Sequence, residues 1–196
     1  MFDASVSVFL LLVLLPVFLA VTFLIWLRMG RPIFFVQCRP GLHAKPFNMI
    51  KFRTMNNDLS PDGQLLPDNL RISSLGHFLR STSIDELPEL LNVLRGDMSL
   101  VGPRPLLFEY LELYDHFQRR RHEALPGITG WAQVNGRNAL TWEEKFELDV
   151  WYVDNRSMWL DMKILFKTVL QVLKRDGISH GGDATMPRFK GSNRDS

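Results

Sequence analysis

Residues Val8 to Leu27 form an uncharged, apolar run of 20 residues, with Thr22 as its one polar member and Pro16 near its middle. As a helix rising about 1.5 Å per residue, the run is roughly 30 Å long, the thickness of a bilayer's hydrocarbon core. No Lys or Arg precedes it, whereas Arg28, Arg31 and Arg39 follow. The missing basic n-region, and the lack of a small-residue cleavage site before Arg28, argue against a secretory signal peptide. The charge asymmetry assigns the C-terminal side, and with it most of the chain, to the cytoplasm. Proline removes a backbone hydrogen bond and clashes with the preceding turn. Two topologies follow: a kinked helix that spans the bilayer, or a broken one that dips in and returns to the same face.

About 170 residues remain after this run, enough for one compact domain with its own core. A net charge of +2 argues against a nucleic-acid partner. Cys38 is the only cysteine, so no intrachain disulfide forms, in keeping with a reducing compartment. A lone cysteine usually packs as a small hydrophobe. Asp58–Asn69 and the polar tail after Gly177 have the composition of flexible segments. The expected organisation is a membrane helix over 1–27, a domain over 28–181 and a tail over 182–196.

Ile33–Gln37 and Pro46–Phe52 read as two short strands joined by a turn at Arg39–Pro40–Gly41. Lys51 and Arg53 on the second strand either face a site or are ordinary exposed edge charges. Thr141 with Glu144 forms a capping box that opens a helix carrying Trp142, Phe146, Val150 and Trp151. Ser157 caps a further helix to Lys174, with Leu160, Ile164, Leu165, Val169 and Val172 as its apolar residues. Trp142, Trp151 and Trp159 lie near these helix starts, either as core or at a membrane surface. Arg119–Arg121 is a basic patch that either solvates a helix end or touches anionic headgroups. The fold class is therefore α+β and mostly helical, with one short hairpin and amphipathic helices along an interface.

The densest chemistry lies in Ser83–Pro105, SIDELPELLNVLRGDMSLVGPRP. Ser83 and Glu86 have capping-box spacing, and Leu87, Leu90, Leu91 and Leu94 mark one helical face. That places Asp85 and Glu86 in the first turn of a buried helix, where unpaired N–H groups favour negative charge by about 0.3–1 kcal/mol each. Asp85 is then expected to stay ionised, as a nucleophilic carboxylate must. The alternative is that both acids only cap. Arg80 lies just upstream, and Arg104 is presented by a proline-stiffened Gly-Pro-Arg-Pro turn. Arginine suits phosphate recognition, and acids that hold a divalent ion beside such arginines are the parts of a phosphoryl-transfer site. Pro126–Asn138, PGITGWAQVNGRN, reads as a Gly-rich loop whose Asn135–Gly136 turn presents Arg137. It matches neither of the two common nucleotide-binding glycine patterns.

The anchor, the Arg80–Pro105 run and the PGITGWAQVNGRN loop occur in this order and together resemble the small monotopic phosphoglycosyl transferases of bacterial glycan assembly. The resemblance covers the chain from the anchor to about Gly181, and in length it is similar to the minimal members that transfer phospho-di-N-acetylbacillosamine in protein N-glycosylation. It implies transfer of a sugar phosphate from a UDP-sugar to undecaprenyl phosphate, with UMP released, at the cytoplasmic face of the inner membrane. By the same match Asp85 attacks the β-phosphorus to give an aspartyl phosphosugar, and Glu86, with Asp85, holds Mg²⁺, for which Mn²⁺ substitutes. Arg80, Arg104 and Arg137 steady phosphate oxygens, and Asp161 is an acid near the site. The membrane helix is re-entrant in that family, broken at a Ser-Pro pair; here the pair is Leu15–Pro16. Downstream glycosyltransferases and a second copy of the chain are open as partners.

Two other functions use the same residues. A membrane-tethered, Mg²⁺-dependent phosphohydrolase of sugar nucleotides or polyprenyl diphosphates would use water as final acceptor. A non-catalytic anchored module would leave Asp85 and Glu86 as caps. A requirement for a lipid acceptor separates the transferase from the first, and the effect of replacing the acids separates it from the second.

Overall fold

The computed structural model describes residues 2–136, 139–174 and 188–191. The apolar run is two helices, α1 (Phe2–Val13) and α2 (Leu15–Met29), bent by 64° at Leu14. Pro16 sits in the first turn of α2, where its missing N–H would have had no helical acceptor. The chain loses little at the bend, because Leu14 N–H bonds the Leu10 carbonyl at 2.8 Å and Phe18 N–H bonds that of Leu14 at 2.9 Å. No single helix among the described residues is long and apolar enough to cross a membrane; the bent pair together is.

The hairpin follows. Strands β1 (Phe34–Pro40) and β2 (Pro46–Phe52) are antiparallel, paired from Phe34 opposite Phe52 to Pro40 opposite Pro46. β1 thus runs past the expected turn. The ladder ends where two prolines face each other, since neither has an N–H to donate. The connection over 41–45 holds His43 and Ala44 in left-handed conformations at φ 53° and 59°.

The short helices α3 (Asp68–Arg71) and α4 (Ser74–Ser81) lead to α5 (Glu89–Arg95). Ser73 caps α4 by accepting from Gly76 N–H at 2.9 Å, a cap absent from the sequence reading. Strand β3 (Ser99–Val101) pairs in parallel with β4 (Gly127–Thr129), with the one-turn α6 (His116–Arg119) between them and α7 (Trp131–Val134) after. The expected Gly-rich loop is therefore a strand and a helical turn. Its glycines serve close backbone packing: a Cβ on Gly127 would stand 2.0 Å from Gly102 N, and one on Gly102 2.2 Å from Leu125 O.

The last helices are α8 (Trp142–Asn155) and α9 (Met158–Lys174). The Thr141–Glu144 capping box forms as expected, and Ser157 Oγ accepts from Leu160 N–H at 3.3 Å. Leu160 and Ile164 of α9 are buried, but Val169 and Val172 face outward with Met158, Trp159, Met162 and Phe166. Trp142 packs in an aromatic cluster, Trp151 stacks on Trp131, and Trp159 is 81% exposed, so the three tryptophans divide between interior and surface.

One apolar core lies between β2, α5, β3, α8 and α9, and Val6, Leu10 and Leu11 of α1 pack onto it. A second joins Val21 and Ile25 of α2 to Phe52 and Leu79. The broken helix therefore grips the domain with both arms while its remaining apolar side chains, Phe9, Leu12, Leu19 and Phe23 among them, face outward. A third cluster of Tyr110, Tyr114, Phe146 and Trp142 receives Phe189 from the tail, whose N–H donates to Tyr110 Oη at 3.2 Å. This part of the tail is docked rather than free. Phe189→Ala is expected to cost about 3 kcal/mol, the scale of a truncated buried phenyl ring, read as a lower denaturation midpoint in detergent.

Candidate active site

The Ser83–Glu86 capping box does not form. Pro88 has no N–H for the Ile84 carbonyl, and its ring would clash there, so a helix begun at Ser83 cannot continue. Ser83 instead adopts a left-handed conformation (φ 56°), its hydroxyl makes no capping bond, and Ile84–Glu86 is a single 3₁₀ turn. α5 begins after Pro88 and buries Glu89, Leu90, Asn92 and Val93, while Leu94 lies at the surface. The dyad thus stands ahead of the helix, and side chains control its charge.

Glu86 Oε1 takes two cations. Lys51 Nζ reaches it at 2.8 Å, and Arg104 Nη2 donates to it in a charge-assisted hydrogen bond. Burial alone would raise the Glu86 carboxyl, but Arg104 and then Lys51 hold it far below the usual range. Asp85 is the opposite case. It is 8% exposed and makes no hydrogen bond or ion pair among the described residues. Burial, and next the charge on Glu86, push its carboxyl up to about 6, against the pull of Lys51, Arg104 and Arg80. What favours its ionised form is this ring of cations and not a helix start. Glu89 adjoins the pair: its Oε1 lies 3.1 Å from Lys51 Nζ, and burial pushes it up to about 7.

Lys51 therefore faces the site. Arg53 does not: its guanidinium donates to the Met29, Gly30 and Arg31 carbonyls, tying the hairpin to the end of α2. Arg80 Nε donates to Thr54 Oγ1 at 3.0 Å, and its charge acts on Asp85. Arg104 is fixed from behind by Arg121, whose Nη2 donates to the Arg104 carbonyl at 2.7 Å. Arg121 is itself fully buried and paired with Asp149 at 2.7 Å. The Arg119–Arg121 run is thus not a uniform surface patch, since Arg121 is buried, while Arg120, paired with Asp154, and Arg119, with its Nε on the Tyr114 carbonyl, lie at the surface. The sequence left Lys51 between a site role and an ordinary edge charge, and it gave no signal for Glu89, for Asp149 or for the burial of Arg121.

Asp161 accepts from Tyr152 Oη at 2.7 Å, and burial, with the nearby charge of Asp3, raises its carboxyl. Arg137 lies outside the described residues. Cys38 is exposed on β1. No group of three or more His, Cys, Asp or Glu among the described residues is arranged to hold a metal. Mg²⁺ needs no such cage, because it binds one or two carboxylates together with substrate phosphates and water. Asp85, whose carboxylate is buried and has no cation bonded to it, fits that demand; Glu86 has one oxygen already occupied by two cations.

The bacterial sugar transferase family matches residues 1–175. The chain belongs to that family. It is 56% identical to a Bacillus subtilis protein named uncharacterized sugar transferase EpsL, over 98% of this chain and 95% of that one. It is 39% identical to the undecaprenyl-phosphate galactose phosphotransferase of Salmonella typhimurium, over 90% of this chain and 40% of the relative. It is 42% identical to the undecaprenyl-phosphate glucose phosphotransferase of Komagataeibacter xylinus, over 86% and 34%. The chain spans well under half the length of these last two relatives.

Two outcomes test this geometry. A carboxyl whose affinity for protons rises on folding gives a contribution to stability that falls as pH rises from its ordinary value to its folded one. Asp85→Asn removes that penalty, so the variant is expected to be about 1–3 kcal/mol more stable than wild type near pH 7.5, with the gain gone below about pH 4. Denaturation midpoints across pH check it. Arg121→Met leaves Asp149 buried and unpaired and is expected to cost about 3–5 kcal/mol, most of it recovered by adding Asp149→Leu; equilibrium unfolding of the single and double variants measures both.

Proposed function

We propose that this protein transfers a sugar phosphate from a UDP-sugar to undecaprenyl phosphate, releasing UMP, at the cytoplasmic face of a bacterial inner membrane. The observation that carries the reading is the unlike pair at positions 85 and 86: one buried carboxylate without a partner beside one locked by Lys51 and Arg104. The names of the relatives, which act on undecaprenyl phosphate, support the same chemistry.

Asp85 is the nucleophile. One of its oxygens bonds to the β-phosphorus, the bond from that phosphorus to the bridging oxygen breaks, and UMP leaves with the electron pair. A phosphate oxygen of undecaprenyl phosphate then attacks the same phosphorus and displaces Asp85, regenerating the free carboxylate. Arg104, Lys51 and Arg80 surround the dyad and suit charge developing on the phosphate oxygens. Mg²⁺ bound at Asp85 and Glu86 would add positive charge on the same oxygens. Arg137 completes the arginine set by its place in the family motif.

A re-entrant helix is supported by where its first turn ends up. Asp3 accepts a 2.6 Å hydrogen bond from Ser99 Oγ on β3, so the start of α1 and the domain lie on the same side of the bend. The outward apolar residues of α1, α2 and α9 suit a membrane interface. For the sugar, the names of the relatives favour galactose or glucose; di-N-acetylbacillosamine rests on chain length alone.

UMP release from UDP-galactose, UDP-glucose and UDP-di-N-acetylbacillosamine tests the reading, with and without undecaprenyl phosphate and Mg²⁺. Sustained release is expected only with lipid, metal and intact Asp85, and its rate is expected to fall as pH drops below about 6, where a carboxylate with a raised pKa protonates. Turnover without lipid would instead make the protein a hydrolase.

A further inference from the structure

Lys51 stands between two carboxylates. Its Nζ is 2.8 Å from Glu86 Oε1 in a hydrogen bond and 3.1 Å from Glu89 Oε1 in an ion pair whose geometry leaves Glu89 Oε1 without an aligned donor. Glu89 is 1% exposed. A buried acid with one loose partner is a poor source of stability, because desolvation outweighs a single unaligned contact. Its place is nevertheless built. Asn92, one turn on, is fully buried; its Oδ1 accepts from Ile50 N–H at 3.0 Å, and its Nδ2 donates to the Asn48 carbonyl at 2.7 Å. Those bonds clamp α5 to β2 on both sides of Met49 and set Glu89 against the strand residue that follows Ile50, which is Lys51.

We propose that Glu89 is a positioning residue that holds Lys51 beside the dyad when Glu86 gives it up. This rests on the transferase reading above. With no substrate bound, one oxygen of Glu86 carries both Lys51 and Arg104. A phosphate anion competes for those cations, and a metal competes for the carboxylate. Once Glu86 is claimed, Lys51 has a second carboxylate within reach and need only turn its ammonium, with no movement of the backbone. Without Glu89 the lysine either stays locked on Glu86 or follows the phosphate away from it. Glu89 therefore acts only through Lys51.

A double-mutant cycle of Glu89→Gln and Lys51→Met in the full chain decides this. Two quantities are read: kcat for UMP release, and affinity for Mn²⁺ with UDP by electron paramagnetic resonance. Glu89→Gln is expected to lower both kcat and Mn²⁺–UDP affinity about tenfold, the scale of one lost charged contact, with the melting temperature unchanged or raised. In the Lys51→Met background it is expected to change neither kcat nor Mn²⁺–UDP affinity. Equal losses in both backgrounds would overturn the assignment. So would a fall in melting temperature with kcat intact, or wild-type protein that binds no Mn²⁺–UDP. If wild type releases UMP from no sugar, the transferase reading fails on its own, and the Mn²⁺–UDP arm still decides the role of Glu89.

Discussion

Glu86 joins three separate pieces of chain through one carboxylate oxygen. Lys51 comes from the second hairpin strand, Arg104 from the turn after β3, and Glu86 itself from the 3₁₀ turn before α5. Taking a carboxylate out of water is costly unless cations and hydrogen bonds replace the lost hydration. Both cations here are delivered by elements whose positions were set by other contacts: the hairpin by the Asn92 clamp and by Arg53 on the end of α2, the Arg104 turn by the Arg121–Asp149 pair. The arrangement leaves Asp85 surrounded by positive charge but bonded to none of it. That combination suits the nucleophile proposed above: cations favour its ionised form, yet it has no partner to strip away before reacting.

The bent helix pair and the site are mechanically one unit. α1 packs on the core that carries α5 and β3, and α2 packs on Phe52, next to Lys51 along β2. Ser99, whose hydroxyl holds Asp3, lies two residues before Val101, the strand end that leads into the Gly-Pro-Arg-Pro turn. A lipid acceptor of the kind proposed above would need its phosphate met at a defined depth, and a helix bent by 64° with both arms on the domain suits that demand.

Much of this was legible along the chain because it rests on local rules. The break at Pro16, the hairpin, the Thr141 box and the Ser157 cap each follow from residues a few positions apart. Local rules also misled. Ser83 and Glu86 have the right spacing for a cap, yet Pro88, two residues beyond Glu86, forbids the helix that the cap would open. Val169 and Val172 keep the helical period of α9, but the core ends before them and they face outward.

The sequence by itself determined that the acids at 85 and 86, the basic residues at 80 and 104, and a broken apolar helix belong to one protein, because each is written in a contiguous motif. Only the tertiary structure decided which acid is locked and which is free. That choice depends on Lys51, Arg104, Arg121 and Asp149, which lie far from one another along the chain and meet only when the strands and helices pack. Electrostatic energy depends on distance in space and on exclusion of water, and neither is a property of spacing in sequence.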